Sequence, residues 1–213
     1  MNKLVIWACL FFAATSFSAW AQLSANANIA TDYLFRGFSQ TDNGPALQVG
    51  LDYSFAENFT LGSWASNVTF GDEDDLELDF FAAYNHDWDN GFNLNSGYVA
   101  YTYIDLEDAN ADDLWLGIGY KSWQAKIWKG FQVDWTYIEL NYSFALPKEW
   151  TLGLHAGRWD FDAGPEVADW KLSCSRGFKL FNLELALTDT DTRDDPTSDA
   201  RAFLILSKTW SFK

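Results

Sequence analysis

Apolar and polar residues alternate along most of this chain with a period of two. In "LQVGLDYSF", residues 47–55, Leu47, Val49, Leu51, Tyr53 and Phe55 oppose Gln48, Gly50, Asp52 and Ser54. Such alternation marks an extended strand with one apolar and one polar face. The same period, broken at turn residues, predicts about twelve strands. They run over residues 25–35, 47–55, 59–67, 76–88, 92–103, 114–120, 124–129, 136–145, 150–159, 170–178, 181–188 and 202–212. The segment at 124–129 alternates least clearly, and no stretch has helical periodicity.

The connections carry a second pattern. Short ones such as "AEN", "DNG" and "LPKE" alternate with long ones: "GFSQTDNGP", "VTFGDEDD", "IDLEDANADD", "KGFQVDW", "DFDAGPEVA" and "DTDTRDDPTSD". An up-and-down barrel with one plain rim and one elaborate rim produces this order. The expected fold class is therefore all-β: a transmembrane, up-and-down antiparallel β-barrel of about twelve strands. The short turns and both termini are expected to face the periplasm, and the long acidic connections the outside.

Three features favour lipid over a protein core as the partner of the apolar faces. Gly50, Gly97, Gly117, Gly119, Gly153, Gly157 and Gly177 all fall in the polar phase, leaving the bulky residues on the other. Asp32, Asp52, Glu77, Asp79, Glu139 and Glu184 stand mid-strand, where a wet lumen would hydrate them. The last strand ends Trp210-Ser211-Phe212, alternating aromatics like an outer-membrane assembly signal, with Lys213 as a departure. Arg158, Arg176 and Lys208 interrupt the apolar phase, but near strand ends, where a long cation snorkels to lipid phosphates.

The first residues are a separate object. Lys3 precedes an apolar run from Leu4 to Ala14, and Ala19-Trp20-Ala21 is a small-x-small cleavage pattern. The reading is a secretory signal over 1–21, cut between Ala21 and Gln22, followed by a barrel over 22–213. The run falls short of the roughly 20 apolar residues of a membrane helix. Cleavage would remove Lys3 and no acid, so the charge of −16 becomes −16 − 1 = −17. It would also remove Cys9 and leave Cys174, on an apolar phase, without a disulfide partner. Gln22 stands where a lipoprotein would carry its lipidated cysteine. The acidic balance argues against nucleic acid as a partner. Membrane lipid, lipopolysaccharide and, through the last strand, the outer-membrane assembly machinery are the expected partners. Mean hydropathy is −0.18, because averaging cancels two faces of opposite character.

The segment "TDYLFRGFSQTDNGPALQVGLDYSF" resembles the TorF family of porins, a proteobacterial family of unknown function. "LGSWASNVTFGDEDDLELDFFAAY", "YIELNYSFALPKEWTLGLHAGRWDF" and "ADWKLSCSRGF" extend the resemblance over nearly the whole mature chain, with its weakest part at residues 121–134. The resemblance implies an outer-membrane barrel and a channel role; it implies no catalytic residue, ligand or cofactor.

Candidate chemistry is sparse, and no cofactor is expected. The candidate pore-lining residues are Asp32, Arg36, Asp52, Glu77, Asp79, Glu139, His155, Glu184 and Arg201, with Lys121 and Lys171 as further inward bases. Arg36 admits two roles: pairing with lumenal acids at a constriction, or joining Asp32 in fixing the first long loop. The latter is the simpler. "GDEDDLELD" and "DTDTRDDPTSD" cluster acids as calcium sites do, yet the glycine and terminal glutamate of an EF-hand do not fall in place. A solvated acidic rim explains them, and its field would concentrate cations at the mouth.

His86 and His155 have no evident serine partner for nucleophilic chemistry, so an outer-membrane lipid enzyme is the weaker alternative. Tyr53, Phe55, Trp88, Phe92, Trp150, Trp159, Trp170 and Trp210 lie near strand ends and suit interfacial belts. Inward Phe81, Tyr101, Tyr103, Trp115, Tyr137 and, again, Trp159 could instead plug the lumen of a closed barrel. The expected function is passive diffusion of small hydrophilic solutes with a weak preference for cations.

Overall fold

The computed structural model describes residues 21–132, 134–161, 164–192 and 195–212. The signal segment apart from Ala21, and Lys213, lie outside the described residues.

Twelve antiparallel strands close into one barrel: β1 (Gln22–Ala30), β4 (Ala46–Phe55), β5 (Phe59–Phe70), β6 (Glu73–Asp87), β7 (Phe92–Tyr103), β8 (Ala111–Tyr120), β9 (Trp123–Gly130), β10 (Trp135–Ala145), β11 (Trp150–Phe161), β12 (Val167–Gly177), β13 (Asn182–Thr190) and β14 (Arg201–Phe212). Two short strands, β2 (Leu34–Phe35) and β3 (Phe38–Ser39), form a separate hairpin. Each barrel strand pairs with its sequence neighbours, and β1 closes the ring against β14, with Leu23 opposite Phe212. Both ends of the barrel chain thus lie at the rim of the short turns. Among the described residues the barrel sheet has no open edge, as backbone in hydrocarbon requires. The strand at 124–129, weak in the sequence, is present as β9, the shortest of the barrel at 8 residues.

The apolar phase faces outward. Ile29 and Leu47 are 60% and 61% exposed, and Phe80, Leu116, Ile118, Ile138 and Leu154 share that surface. An apolar band of this extent is a membrane contact rather than the skin of a soluble domain. At the short-turn rim it ends in an aromatic ladder. Tyr53, Phe55, Phe59 and Tyr84 follow one another at ring separations of 5.8, 5.9 and 5.1 Å, and His86 and Trp88 continue it. Of the outward cations, Arg158 pairs with Glu166, and Arg176 lies 3.9 Å from Glu149. Protein carboxylates at the rims therefore meet Arg158 and Arg176, which the sequence reading left to lipid phosphates.

Three expectations need correction. The first strand ends at Ala30 and not at Phe35, because the chain there leaves the wall and turns into the lumen. "GFSQTDNGP" is consequently no external loop: Ser39 and Thr41 are buried. "VTFGDEDD" is no long loop either. β5 and β6 continue through it, pairing Phe70 with Glu73, and residues 71–72 alone make the turn, with Gly71 at φ +65°. Its acids suggested solvent, and as exposed ends of long strands they still have it.

Candidate functional site

The site is the inside of the barrel, and the β2–β3 hairpin organises it. Arg36 and Gly37 form its two-residue tip with φ of +51° and +88°. Two consecutive positive φ angles are what a tight hairpin turn of the right twist demands. A side chain at Gly37 would strike Thr190 of β13 and Asp169 of β12, so glycine also lets the tip seat against the wall.

The base of the hairpin is tied to the strands from which it springs. Asp32 accepts hydrogen bonds from Ser39 Oγ at 2.5 Å, Thr41 Oγ1 at 3.2 Å and Arg201 of β14 at 2.9 Å. The Thr69 amide of β5 donates to the Gln40 carbonyl at 2.8 Å. From this base Arg36 crosses to the far wall. Its guanidinium donates to Asp113 of β8 at 3.0 Å, with both side chains almost wholly buried. Around it stand the rings of Trp135 (4.1 Å), Phe35 (4.4 Å), Tyr137 (4.7 Å), Trp159 (5.0 Å) and Trp128 (5.2 Å). A guanidinium so enclosed gains from the ring quadrupoles as well as from its carboxylate. Both roles read for Arg36 are present together: the side chain points inward to an acid, and hydrogen bonds of Asp32 fix the segment that carries it.

The hairpin divides the lumen. On the side of the long connections lies a chamber of about 680 Å³ walled by Phe35, Phe38, Phe70, Tyr101, Tyr103, Trp159 and Phe161, with Glu77 and Asp113 among them. On the other side are smaller spaces of about 410 and 480 Å³, the first lined by Asp32, Arg36, Glu139 and His155, the second by Asp79, Phe81, Trp115 and Lys126. Glu77 and Asp79, adjacent on the inner face of β6, thus stand on opposite sides of the hairpin.

The remaining predicted residues also point inside. Asp52 lies beside Gly62, and Glu184 accepts from Lys171 at 3.2 Å. Glu139 accepts from Trp128 Nε1 at 2.8 Å and from Asn141 at 2.9 Å. His155 joins Asn141 (2.8 Å), Asp169 (2.9 Å) and Tyr137 (3.0 Å). Gly157 makes room for this group, since a Cβ there would run into the Tyr137 hydroxyl. The mid-strand acids are not uniformly hydrated, contrary to expectation. Asp32, Glu77 and Asp79 are buried because the hairpin fills the lumen where water was expected. Trp159 belongs to the interior and not to the belt, touching Phe35, Phe38, Trp135 and Phe161. Lys121 sits exposed in the short turn over the Tyr120 ring. His86 lies in the outer aromatic ladder, within 3.5 Å of Asn58.

Sequence reasoning missed Asp113, Lys126 and Asp169. Asp113 ends the stretch read as the loop "IDLEDANADD" and Asp169 falls between a loop and a strand as read; register with a neighbour assigns their face. Lys126 falls in the weakest strand, where Gln124, Lys126 and Trp128 do alternate with Ala125 and Ile127, a signal that was available.

The pattern of a bacterial family of unknown function, Gcw_chp, matches residues 13–213, and the chain belongs to that family. No curated protein matches it significantly. Solved structures share the fold. The KdgM porin superposes with a TM-score of 0.66 at 12% identity, over 89% of this chain and 99% of that one. The KdgM porin in complex with disordered oligogalacturonate gives 0.60 at 11% identity, over 90% and 99%. LpxR from Salmonella typhimurium gives 0.56 at 9% identity, over 88% and 99%.

Proposed function

Starting from a family without a known function and a wall shared with porins, we propose that this chain is an outer-membrane porin. It passes small hydrophilic solutes by diffusion past the inner hairpin and weakly prefers cations, the role the TorF resemblance implies. The long connections face outside and the short turns the periplasm.

The observation that carries this reading is the charge of the inner wall. Asp32, Asp52, Glu77, Asp79, Asp113, Glu139, Asp169 and Glu184 face inward against Arg36, Lys126, Lys171 and Arg201. Eight acids against four bases leave the lumen negative, and a low-dielectric wall focuses that field on the passing solute. The KdgM neighbour is solved with oligogalacturonate, a polyanion; this lumen suits the opposite sign. Nothing in the reading requires catalysis: the hydrogen bonds of His155 go to Tyr137, Asn141 and Asp169, and His86 meets Asn58.

The hairpin itself favours a second reading, a barrel closed by its own chain that acts as a scaffold. Planar bilayers separate the two. A channel gives conductance steps with reversal potentials, in a salt gradient, on the cation side. Folded protein without steps would establish the closed barrel, and a reversal on the anion side would refute the selectivity.

A further inference from the structure

The chamber on the long-connection side of the hairpin has the size of a small-ligand site, and three of its lining residues, Glu77, Asp113 and Trp159, each have a buried polar atom without a partner among the described residues. Glu77 is 2% exposed; the Tyr103 hydroxyl donates to it at 3.3 Å, and the Tyr33 hydroxyl also faces its carboxylate. Its Oε2 has no partner among the described residues, and no lysine or arginine among them pairs with it. Trp159, another lining residue, has an indole N–H without an acceptor among the described residues.

Asp113 in the same chamber shows which countercharge such a carboxylate takes, through its Oδ2, while its Oδ1 is without a partner among the described residues. It is fully buried, and it holds the Arg36 guanidinium against a set of aromatic faces. Glu77 has the carboxylate and the neighbouring rings of Tyr101 and Tyr103, but not the cation. An ionised carboxylate out of water is stable only when a countercharge or further hydrogen bonds compensate its lost hydration. A cation entering the chamber supplies this, and aromatic faces attract it further. An indole N–H only donates, so its complement is an oxygen acceptor on the same ligand. A bare metal ion offers no such acceptor and leaves most of the chamber empty. A neutral sugar leaves Glu77 uncompensated.

We propose that this chamber binds a hydroxylated organic cation of about monosaccharide size, its ammonium group on Glu77 and a hydroxyl oxygen on Trp159 Nε1. The proposal rests on the cation-preferring channel reading, and names the class of solute that such a channel would select.

The test uses the full mature chain in detergent micelles, without a membrane. Tryptophan fluorescence and calorimetry are followed on titration with glucosamine, glucose and galacturonate at constant ionic strength. Glucosamine should bind saturably, and glucose and galacturonate at least about tenfold more weakly, as expected for loss of a charge-assisted hydrogen bond. Glu77→Gln should weaken glucosamine about tenfold, and Trp159→Phe, which keeps an aromatic ring, about threefold. Glucose or galacturonate binding as well as glucosamine, no saturable binding, or unchanged affinity in either folded variant would overturn the site. If Glu77→Gln fails to fold, the three ligands on the native chain and Trp159→Phe still decide. Binding by a barrel that shows no conductance would keep the site and remove the channel; conductance without binding would do the reverse.

Discussion

Arg36 and Asp113 meet at 3.0 Å with 6% and 1% of their side chains exposed. Removing one member of a buried pair strands the other, at a cost of about 3–5 kcal/mol. Arg36→Ala should therefore lower the unfolding free energy in detergent by about 3 kcal/mol, read from urea titration of tryptophan fluorescence. Arg36→Lys should recover little of this, since an ammonium neither spans the ring cage nor matches a guanidinium's planar fork. A loss below about 0.5 kcal/mol, the level of an exposed pair, would show that the pair is not held as described. The sequence makes Arg36 conspicuous as the one base in "DYLFRGFSQT", but its place at a hairpin tip beyond the end of β1 does not follow from alternation. Asp113 was illegible for a physical reason. It is one of five acids in "IDLEDANADD", where nothing alternates, and its face is set by pairing with Val99 on β7.

At the scale of elements, the twelve wall strands were legible because each is long enough to show its period and one face must meet lipid. A one-residue slip would turn every bulky side chain into the lumen, so register and pattern are locked together. The β2–β3 hairpin was not legible. Its strands have two residues each, too few for alternation to register, and its Arg-Gly tip is not one of the usual Asn-Gly or Asp-Gly signals. Its existence depends on distant groups: Arg201 of β14 at the base and Asp113 of β8 at the tip. The barrel ladder, by contrast, is complete without it. Replacing residues 34–41 by a short Gly-Ser linker should therefore leave a folded barrel, shown by heat-modifiable migration and an unchanged β spectrum. Its conductance should rise several-fold, because the hairpin separates the two sides of the lumen. Equal conductance with and without the hairpin would mean that ions pass elsewhere.

The whole molecule presents one solvent preference outside and another within, and each can be perturbed alone. Leu116 lies mid-strand on the outer face; Leu116→Arg should lower barrel stability in lipid by about 2–4 kcal/mol, as measured by folding into vesicles, because no rim is close enough for the cation to escape. The inner preference has two sources that salt distinguishes. Asp72, Glu73 and Asp74 are exposed at the end of the β5–β6 pair, whereas Glu77 and Asp79 lie buried in the wall below them. The Debye length is about 10 Å at 0.1 M salt and about 3 Å at 1 M. Rim acids therefore act on a passing ion in dilute salt and are screened in concentrated salt, while buried acids are screened much less. Neutralising Asp72, Glu73 and Asp74 to Asn and Gln should reduce the cation-to-anion permeability ratio at 0.1 M and leave it nearly unchanged at 1 M. Glu77→Gln with Asp79→Asn should reduce it at both. If the native ratio falls to unity at 1 M, the selectivity belongs to the rim, and the buried acids of β6 take no part in it.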